Sequence, residues 1–388
     1  MRCKLLLILI FALGTHSLAA QNSDFRAYRD SVRQAQKAFE EQYTSADGAE
    51  EANNFQIQFS AEFEAFKTEM EQRWGDFKYR SKTEWVEYLD EGNARVHVDF
   101  EQNQVLLEVL VDRTQSAEQR VATLPVVLVE TIESRGSQTG IEASSDNYTP
   151  VLNRPVLFNQ LTKRVGETNA DFALRVINNN QPTVRQTTGD DGVERAVLTL
   201  NFDLAPDAIR ERAKRVQGFV YKYAEQYGLY PSLVFAIIHT ESYFNPMAQS
   251  SANALGLMQL VPEGGGADAF QKVYGRSEIP SAEFLFDPEN NIQLGCAYLD
   301  IILNTHLNNI DNVLTKQYLA IAAYNTGASN VFKAYDRSGS KPRSIRKIDA
   351  MTPQQNYEYL IQNLPYEETR SYLQKVVERS QLYESWGE

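Results

Sequence analysis

Cysteine is nearly missing from this chain. Of 388 residues only Cys3 and Cys296 are cysteines. Cys3 falls in the N-terminal leader described below, so no intrachain disulfide is expected in the mature protein. Cys296, in LGCAYL, stands at helical spacing among apolar residues and is expected to be a small core residue. Histidine is almost as scarce, with four in the chain. Beyond the leader only His97, His239 and His306 remain, and HTE at 239–241 is not HExxH. No metal site is therefore expected, and His239 reads as a satisfied helix residue. Basic residues are outnumbered, 38 against 51 acidic, for a net charge of −13. That balance disfavours nucleic acid and anionic membrane surfaces as partners. A phosphate-cradling loop is missing as well. EGGGADAF (263–270) lacks the lysine and the serine or threonine of a P-loop, and reads as a flexible loop. No cofactor is expected.

Long apolar runs are limited to one. MRCKLLLILIFALGTHSLAAQ has a basic start at Arg2 and Lys4, an apolar stretch from Leu5 to Leu13, and small residues at Ser17-Leu18-Ala19-Ala20. This is the pattern of a secretory signal peptide, and residues 1–20 are assigned to it. The run is too short to span a bilayer as a helix.

What is present divides the rest in two. Residues 24–75 carry aromatics at three- and four-residue spacing and read as helices around a polar loop, TSADGAEEANN. From Glu84 the period changes to alternation, with turn residues at 91–93 and 101–103, which predicts two or three antiparallel strands. Residues 116–135 read as a helix, 136–150 as a loop, and RAVLTLNFDLAP (195–206) as a strand preceded by a loop or hairpin. After Pro206 the chain reads as helical to its end. DAIRERAKRVQGFVYKYAEQYG forms a long helix closed by Gly228, Pro231 opens the next, and others follow near 291–304, 315–335, 352–363 and 367–385. The predicted class is an α+β domain over 21–204 followed by an all-α domain over 205–388. The basic cluster KPRSIRK (341–347) is read as a solvated loop, with contact to an envelope polymer as the weaker reading.

One carboxylate stands out. LVFAIIHT is apolar on nearly every side and leads into ESYFNPMAQSSANALGLMQLVP, in which Glu241 is the only charged residue. Asn245-Pro246 should stop the helix, because the residue before proline avoids the α region. Glu241 then lies in its last turn. Burial and the negative end of the helix dipole both favour the neutral carboxyl, as a general acid near neutral pH requires. A structural glutamate that caps or pairs with an arginine is the alternative. Gly256 suits close backbone approach, Gln259 offers an amide, and Ser250 and Ser251 offer hydroxyls. Neutral donors and acceptors around one acid suit a polyhydroxylated, N-acetylated substrate.

These residues resemble the core motif of the Slt-type lytic transglycosylases, which have a goose-lysozyme-like fold. FDPENNIQLGCAYL (286–299), AAYNTG (322–327) and PYEETRSYLQKV (365–376) match further segments in the same order. The first half is similar to the membrane-bound lytic murein transglycosylase C branch of that family. The resemblance implies roles. Glu241 matches the catalytic acid, Ser250 the serine that hydrogen-bonds near it, and Gln259 a glutamine of the substrate cleft. Tyr324 matches the tyrosine expected beside the sugar being cleaved, and Asn325 the residue shaping its turn. Glu368 matches a glutamate that contacts substrate or holds the cleft, and Met258 packs the floor. The usual glycosidase scheme needs two carboxylates; Glu263, Asp268, Asp287 and Glu368 show no obvious pairing with Glu241. The resemblance instead implies cleavage of peptidoglycan glycan strands assisted by the substrate's own N-acetyl group, with a 1,6-anhydromuramoyl product.

Relatives of that branch are lipoproteins anchored through a cysteine after the apolar stretch. HSLAAQN has none, so a soluble periplasmic protein is expected, or one held by its first domain. Contacts with other cell-wall enzymes through that domain are a further expectation. Two other readings stay open: a hydrolase of the same fold, and a non-catalytic peptidoglycan-binding scaffold.

Overall fold

The structure is a computed structural model that describes residues 63–112, 117–136, 152 and 154–386. The leader, the helices expected over 24–62 and most of the loop expected over 136–150 lie outside the described residues. Contacts group the chain into two units. Among the described residues the smaller takes in 63–77 and Thr188–Val193; the larger takes in 78–112, 117–136, 152, 154–187 and 194–386. In the smaller unit residues 63–74 are helical, as the aromatic spacing predicts. Phe66, Met70 and Trp74, four residues apart, are buried, and the rings of Phe63 and Phe66 meet Phe77 edge-on.

The larger unit begins with a sheet of order β1-β2-β3-β5-β4. Its strands are β1 Glu84–Leu89, β2 Ala94–Asp99, β3 Gln104–Asp112, β4 Thr183–Thr188 and β5 Glu194–Asp203. β1 and β2, β2 and β3, and β3 and β5 are antiparallel. The alternation read from the sequence is the two-residue period of these strands. Trp85 opposes Val98, Val96 opposes Leu107, and Leu107 opposes Leu200, and all are buried. Helix α1 (Ala117–Glu133) packs on β1 and β3 and against α2 (Asn169–Asn180), which packs on β5. The sequence reading did not include α2. Its signal is the capping box at Thr168 and Asp171, which satisfies two backbone N–H groups at the helix start.

Residues 204–207 lead directly into α3 (Ala208–Tyr227), which ends at Gly228 in the left-handed conformation, φ 64°. Pro231 opens α4 (Pro231–Ser242). There follow α5 (Ala267–Tyr274), α6 (Ala282–Phe286), α7 (Pro288–Ile301), α8 (Val313–Thr326), α9 (Ala328–Tyr335), α10 (Lys341–Asp349), α11 (Pro353–Asn363) and α12 (Glu367–Leu382). Three expectations are corrected. The helix predicted over 315–335 is two helices, divided at Gly327, φ 83°. KPRSIRK is helix α10 rather than a loop, fixed by burial of Ser344 and Ile348. EGGGADAF is a helical turn, Pro262–Gly266, running into α5, with Gly266, Ala269 and Phe270 buried. Two of its glycines are there for packing: a Cβ on Gly265 would lie 2.9 Å from the Tyr298 ring, and one on Gly266 2.8 Å from the Val261 carbonyl.

Helix α4 is the centre of the helical region. α3 and α12 pack on it, and Leu233 to His239, Glu241 and Ser242 are buried. The sheet and α4 are tied by one buried cation. Arg212 of α3 donates to the carbonyls of Phe100 (3.2 Å) and Tyr243 (2.9 Å) and to the Gln160 side chain (2.8 Å). It has no carboxylate partner in that set, and burial lowers its pKa to about 9.

Candidate active site

Helix α4 stops where the sequence requires. Tyr243 and Phe244 both take left-handed φ, 50° and 60°, ahead of Asn245-Pro246. Glu241 is thus held in the last turn, 5% exposed. Ser242 fastens the helix end to the following loop by donating to the Leu257 carbonyl at 2.8 Å. Of the non-glycine residues at positive φ among those described, Tyr243, Phe244, Asn253 and Gln259 all lie in this one segment. Such strain persists only where the surroundings over-determine it, and it concentrates at functional sites.

A buried amide organises that loop. Asn291 of α7 accepts from the Met258 N–H at 2.7 Å and donates to the carbonyls of Leu255 (3.0 Å) and Leu285 (2.7 Å). Tyr324 of α8 donates to the Met258 carbonyl at 2.8 Å and meets Tyr298 edge-on. Gln259, 8% exposed, donates from Nε2 to the carbonyls of Ala248 (3.1 Å) and Gly256 (3.0 Å), and its Oε1 has no partner. A buried amide oxygen left unpaired costs about 1–3 kcal/mol.

The electrostatics converge on Glu241. Burial raises its pKa, and the ammonium of Lys82, 3.7 Å from Oε2, opposes that rise. The Tyr372 hydroxyl of α12 faces the same carboxyl, also favours the charged form, and is buried without a hydrogen bond within the usual distance and angle limits. Glu368, exposed in the first turn of α12, adds a like charge that acts with burial. The net direction is upward. Burial also holds the hydroxyls of Tyr324 and Tyr372 protonated, with pKa values well above the usual range. The arrangement offers one buried carboxyl able to give and take a proton and, in Tyr372, one hydroxyl not donated elsewhere; the Tyr324 proton is already given to the Met258 carbonyl.

A family model described as Transglycosylase SLT domain matches residues 219–346. Another, described as Membrane-bound lytic murein transglycosylase C, N-terminal domain, matches residues 51–214. The chain is 35% identical over 321 residues to the membrane-bound lytic murein transglycosylase C of Sodalis glossinidius, covering 80% of this chain and 86% of the relative. To that of Actinobacillus succinogenes it is 33% identical over 326 residues, covering 82% and 87%. The chain belongs to the membrane-bound lytic murein transglycosylase C family. By family it is an enzyme, as the motifs led us to expect. Among solved structures it is similar to the lytic transglycosylase Slt of Pseudomonas aeruginosa, with 30% identity and a TM-score of 0.34 over 46% of this chain and 24% of that one.

Within this transglycosylase the site residues read from the sequence fall at different depths. Tyr324 and Glu368 both act electrostatically on or with Glu241. Asn325 accepts from Thr369 at 2.7 Å and so links α8 to α12. Met258 is fully buried beneath Gly295, where a Cβ would stand 2.2 Å from its sulfur. The Ser250 oxygen accepts from the N–H groups of Ala252 (3.2 Å) and Ala254 (3.0 Å), which shapes the loop, and makes no bond to Glu241. Gly256 approaches protein rather than an open ligand face: a Cβ there would sit 2.2 Å from the Leu285 carbonyl. Asp287 caps α7 by accepting from the Asn290 N–H. His239 meets the Tyr383 hydroxyl at 3.0 Å, and burial lowers its pKa to about 3, so it stays neutral. Cys296 is buried.

Three residues of the site escaped the sequence reading. Tyr372 was legible, since it stands four residues after Glu368 on one helix and so shares its face. Asn291 was readable only as one of several polar residues of α7, beside Glu289, Asn290 and Gln293. Lys82 carries no local signal; folding alone brings it to Glu241.

Proposed function

We propose that the chain cleaves the β-1,4 bond between N-acetylmuramic acid and N-acetylglucosamine in peptidoglycan without consuming water. Glu241 is the single acid and base. Its neutral carboxyl protonates the glycosidic oxygen as the C1–O4 bond breaks, and the N-acetyl oxygen of the muramic acid bonds to C1. The Glu241 carboxylate then takes the proton of the C6 hydroxyl, O6 displaces the N-acetyl oxygen at C1, and a 1,6-anhydromuramoyl end is released. Proton and bond counts balance with no water added. The observation that carries this reading is that, of the two carboxyls felt at the site among the described residues, only one is buried: Glu241, 5% exposed, has a raised pKa, and Glu368 is exposed.

In this reading Gln259 contributes to the substrate cleft, and Tyr324, whose proton goes to the Met258 carbonyl at 2.8 Å, stands beside the sugar and offers it the phenol oxygen as an acceptor. Glu368 contacts the glycan at the cleft edge, and Ser250 holds the loop shape. Residues 1–20 act as the export signal, 21–204 as the first domain and 205–388 as the catalytic domain. The enzyme works in the periplasm. The relatives' name places them at a membrane, and envelope association extends to this chain in the same way. Among the described residues no helix is long and apolar enough to cross a membrane.

The test is mass spectrometry of products from purified sacculi digested with the protein. Anhydro-muropeptides are the expected result. Reducing ends, one water heavier, would overturn the mechanism and leave Glu368 as the base to examine for a lysozyme-type hydrolase. Binding without products would replace the enzyme by a scaffold.

A further inference from the structure

We infer that Lys82, on the bend that leads into β1, is a positioning residue for Glu241, holding its carboxyl by an ion pair and tuning its acidity from the sheet region. The inference rests on the assignment of Glu241 as the acid. Lys82 Nζ lies 3.7 Å from Glu241 Oε2. The segment that carries it is stitched on both sides to the loop that follows α4. Before Lys82, the Tyr79 hydroxyl donates to the Gln249 side chain at 3.2 Å, and the Gln249 N–H donates to the Ser81 carbonyl at 3.2 Å. After it, the Asn245 side chain donates to the Glu84 carbonyl at 3.2 Å. The Thr83 carbonyl is taken by the Phe100 N–H. The backbone at residue 82 is thereby fixed to the segment that begins two residues after Glu241, and the lysine has only its flexible stem to place. Its side chain is 40% exposed and that of Glu241 6%, so the ammonium remains partly hydrated while it reaches a buried carboxyl.

The chemistry explains the need. A buried carboxyl is easily kept neutral, but a general acid must also become a carboxylate once its proton has gone. An unpaired carboxylate in that position is costly. Lys82 makes the charged form reachable without making it permanent, since burial still prevails. The charged and titratable groups facing Glu241 are Lys82, Glu368 and Tyr372 of α12, and Tyr324 of α8. Both tyrosines stay protonated, so Lys82 and Glu368 supply the opposing charges. Arg379 of α12 is engaged elsewhere, with the His239 carbonyl and the Tyr243 hydroxyl. One function of the sheet region is then to complete the electrostatics of the helical site.

The test compares wild type, Lys82→Met and Lys82→Arg in the full chain by two readouts. One is the titration midpoint of Glu241, followed by NMR of protein carrying 13C-labelled glutamate and assigned through Glu241→Gln. The other is the pH profile of kcat/KM on peptidoglycan. Removing the positive charge should raise the Glu241 midpoint by about one pH unit or more. Because the acid works protonated, the high-pH limb of activity should rise with it, and Lys82→Arg should keep both near wild type. An unmoved midpoint in Lys82→Met overturns the inference. A midpoint that moves while the activity limb stays fixed upholds the pairing and instead sinks Glu241 as the acid.

Discussion

Gly256 gives the sharpest quantitative test of how the loop is built. It has φ +73°, and a Cβ there would lie 2.2 Å from the Leu285 carbonyl and 2.3 Å from the Asn291 side-chain nitrogen. Neither neighbour can yield cheaply. The Asn291 amide is committed to three backbone groups, and Gly256 itself donates to Ala248 and accepts from Gln259. In Gly256→Ala the left-handed backbone costs about 1–2 kcal/mol, and the crowding about 1–3 kcal/mol more. Reduced freedom of the unfolded chain returns about 0.4–1 kcal/mol. The control is Gly275→Ala, at φ +69° with nothing within 4 Å of the new methyl. It shares the backbone and unfolded-chain effects and lacks the crowding, so the two variants should differ by about 1–3 kcal/mol. Urea unfolding followed by far-UV circular dichroism measures the difference. Gly256→Ala should also lose sacculus digestion, because Gln259 sits on the same turn, while Gly275→Ala keeps it. Equal destabilisation of the two would refute the rigid contact with Leu285 and Asn291.

The remaining predictions concern the site. Glu241→Gln should retain sacculus binding in a pelleting assay and lose about 100- to 10,000-fold in product release; wild-type turnover would remove Glu241 from the chemistry. Glu368→Gln deletes a like charge that raises the Glu241 pKa, so the high-pH limb of kcat/KM should move down. Tyr372→Phe deletes a hydroxyl that favours the carboxylate, so that limb should move up; shifts of the same sign in both variants would contradict the electrostatic account. Cys296 is fully buried and its thiol is pushed up by burial. In protein lacking residues 1–20 it should ignore Ellman's reagent in buffer and react in urea, and rapid labelling of the folded protein would contradict its core position.

Much of the fold could be read from residue order because the relevant forces are local. The change from three- and four-residue spacing to alternation marks where the sheet begins at Glu84, and Gly228 and Pro231 punctuate α3 and α4. The errors have the opposite cause. KPRSIRK and EGGGADAF look solvated by composition, but burial of Ser344 and Ile348 as α10 packs on α9, and of Ala269 and Phe270 as α5 packs on α7, makes them helical. The break at Gly327 is local in origin, and aromatic and alanine-rich helical spacing on both sides obscured it.

The sequence by itself determined that one carboxylate would end an apolar helix, since the apolar run, the proline stop and the isolation of Glu241 are all properties of neighbouring residues. Tertiary structure alone decided what surrounds that carboxylate. Lys82 arrives from the bend before β1, Tyr324 from α8, Glu368 and Tyr372 from α12, and Asn291 from α7 to hold the loop. Acidity depends on charges and desolvation within a few ångströms, whatever their separation along the chain. Only packing brings those groups within that range.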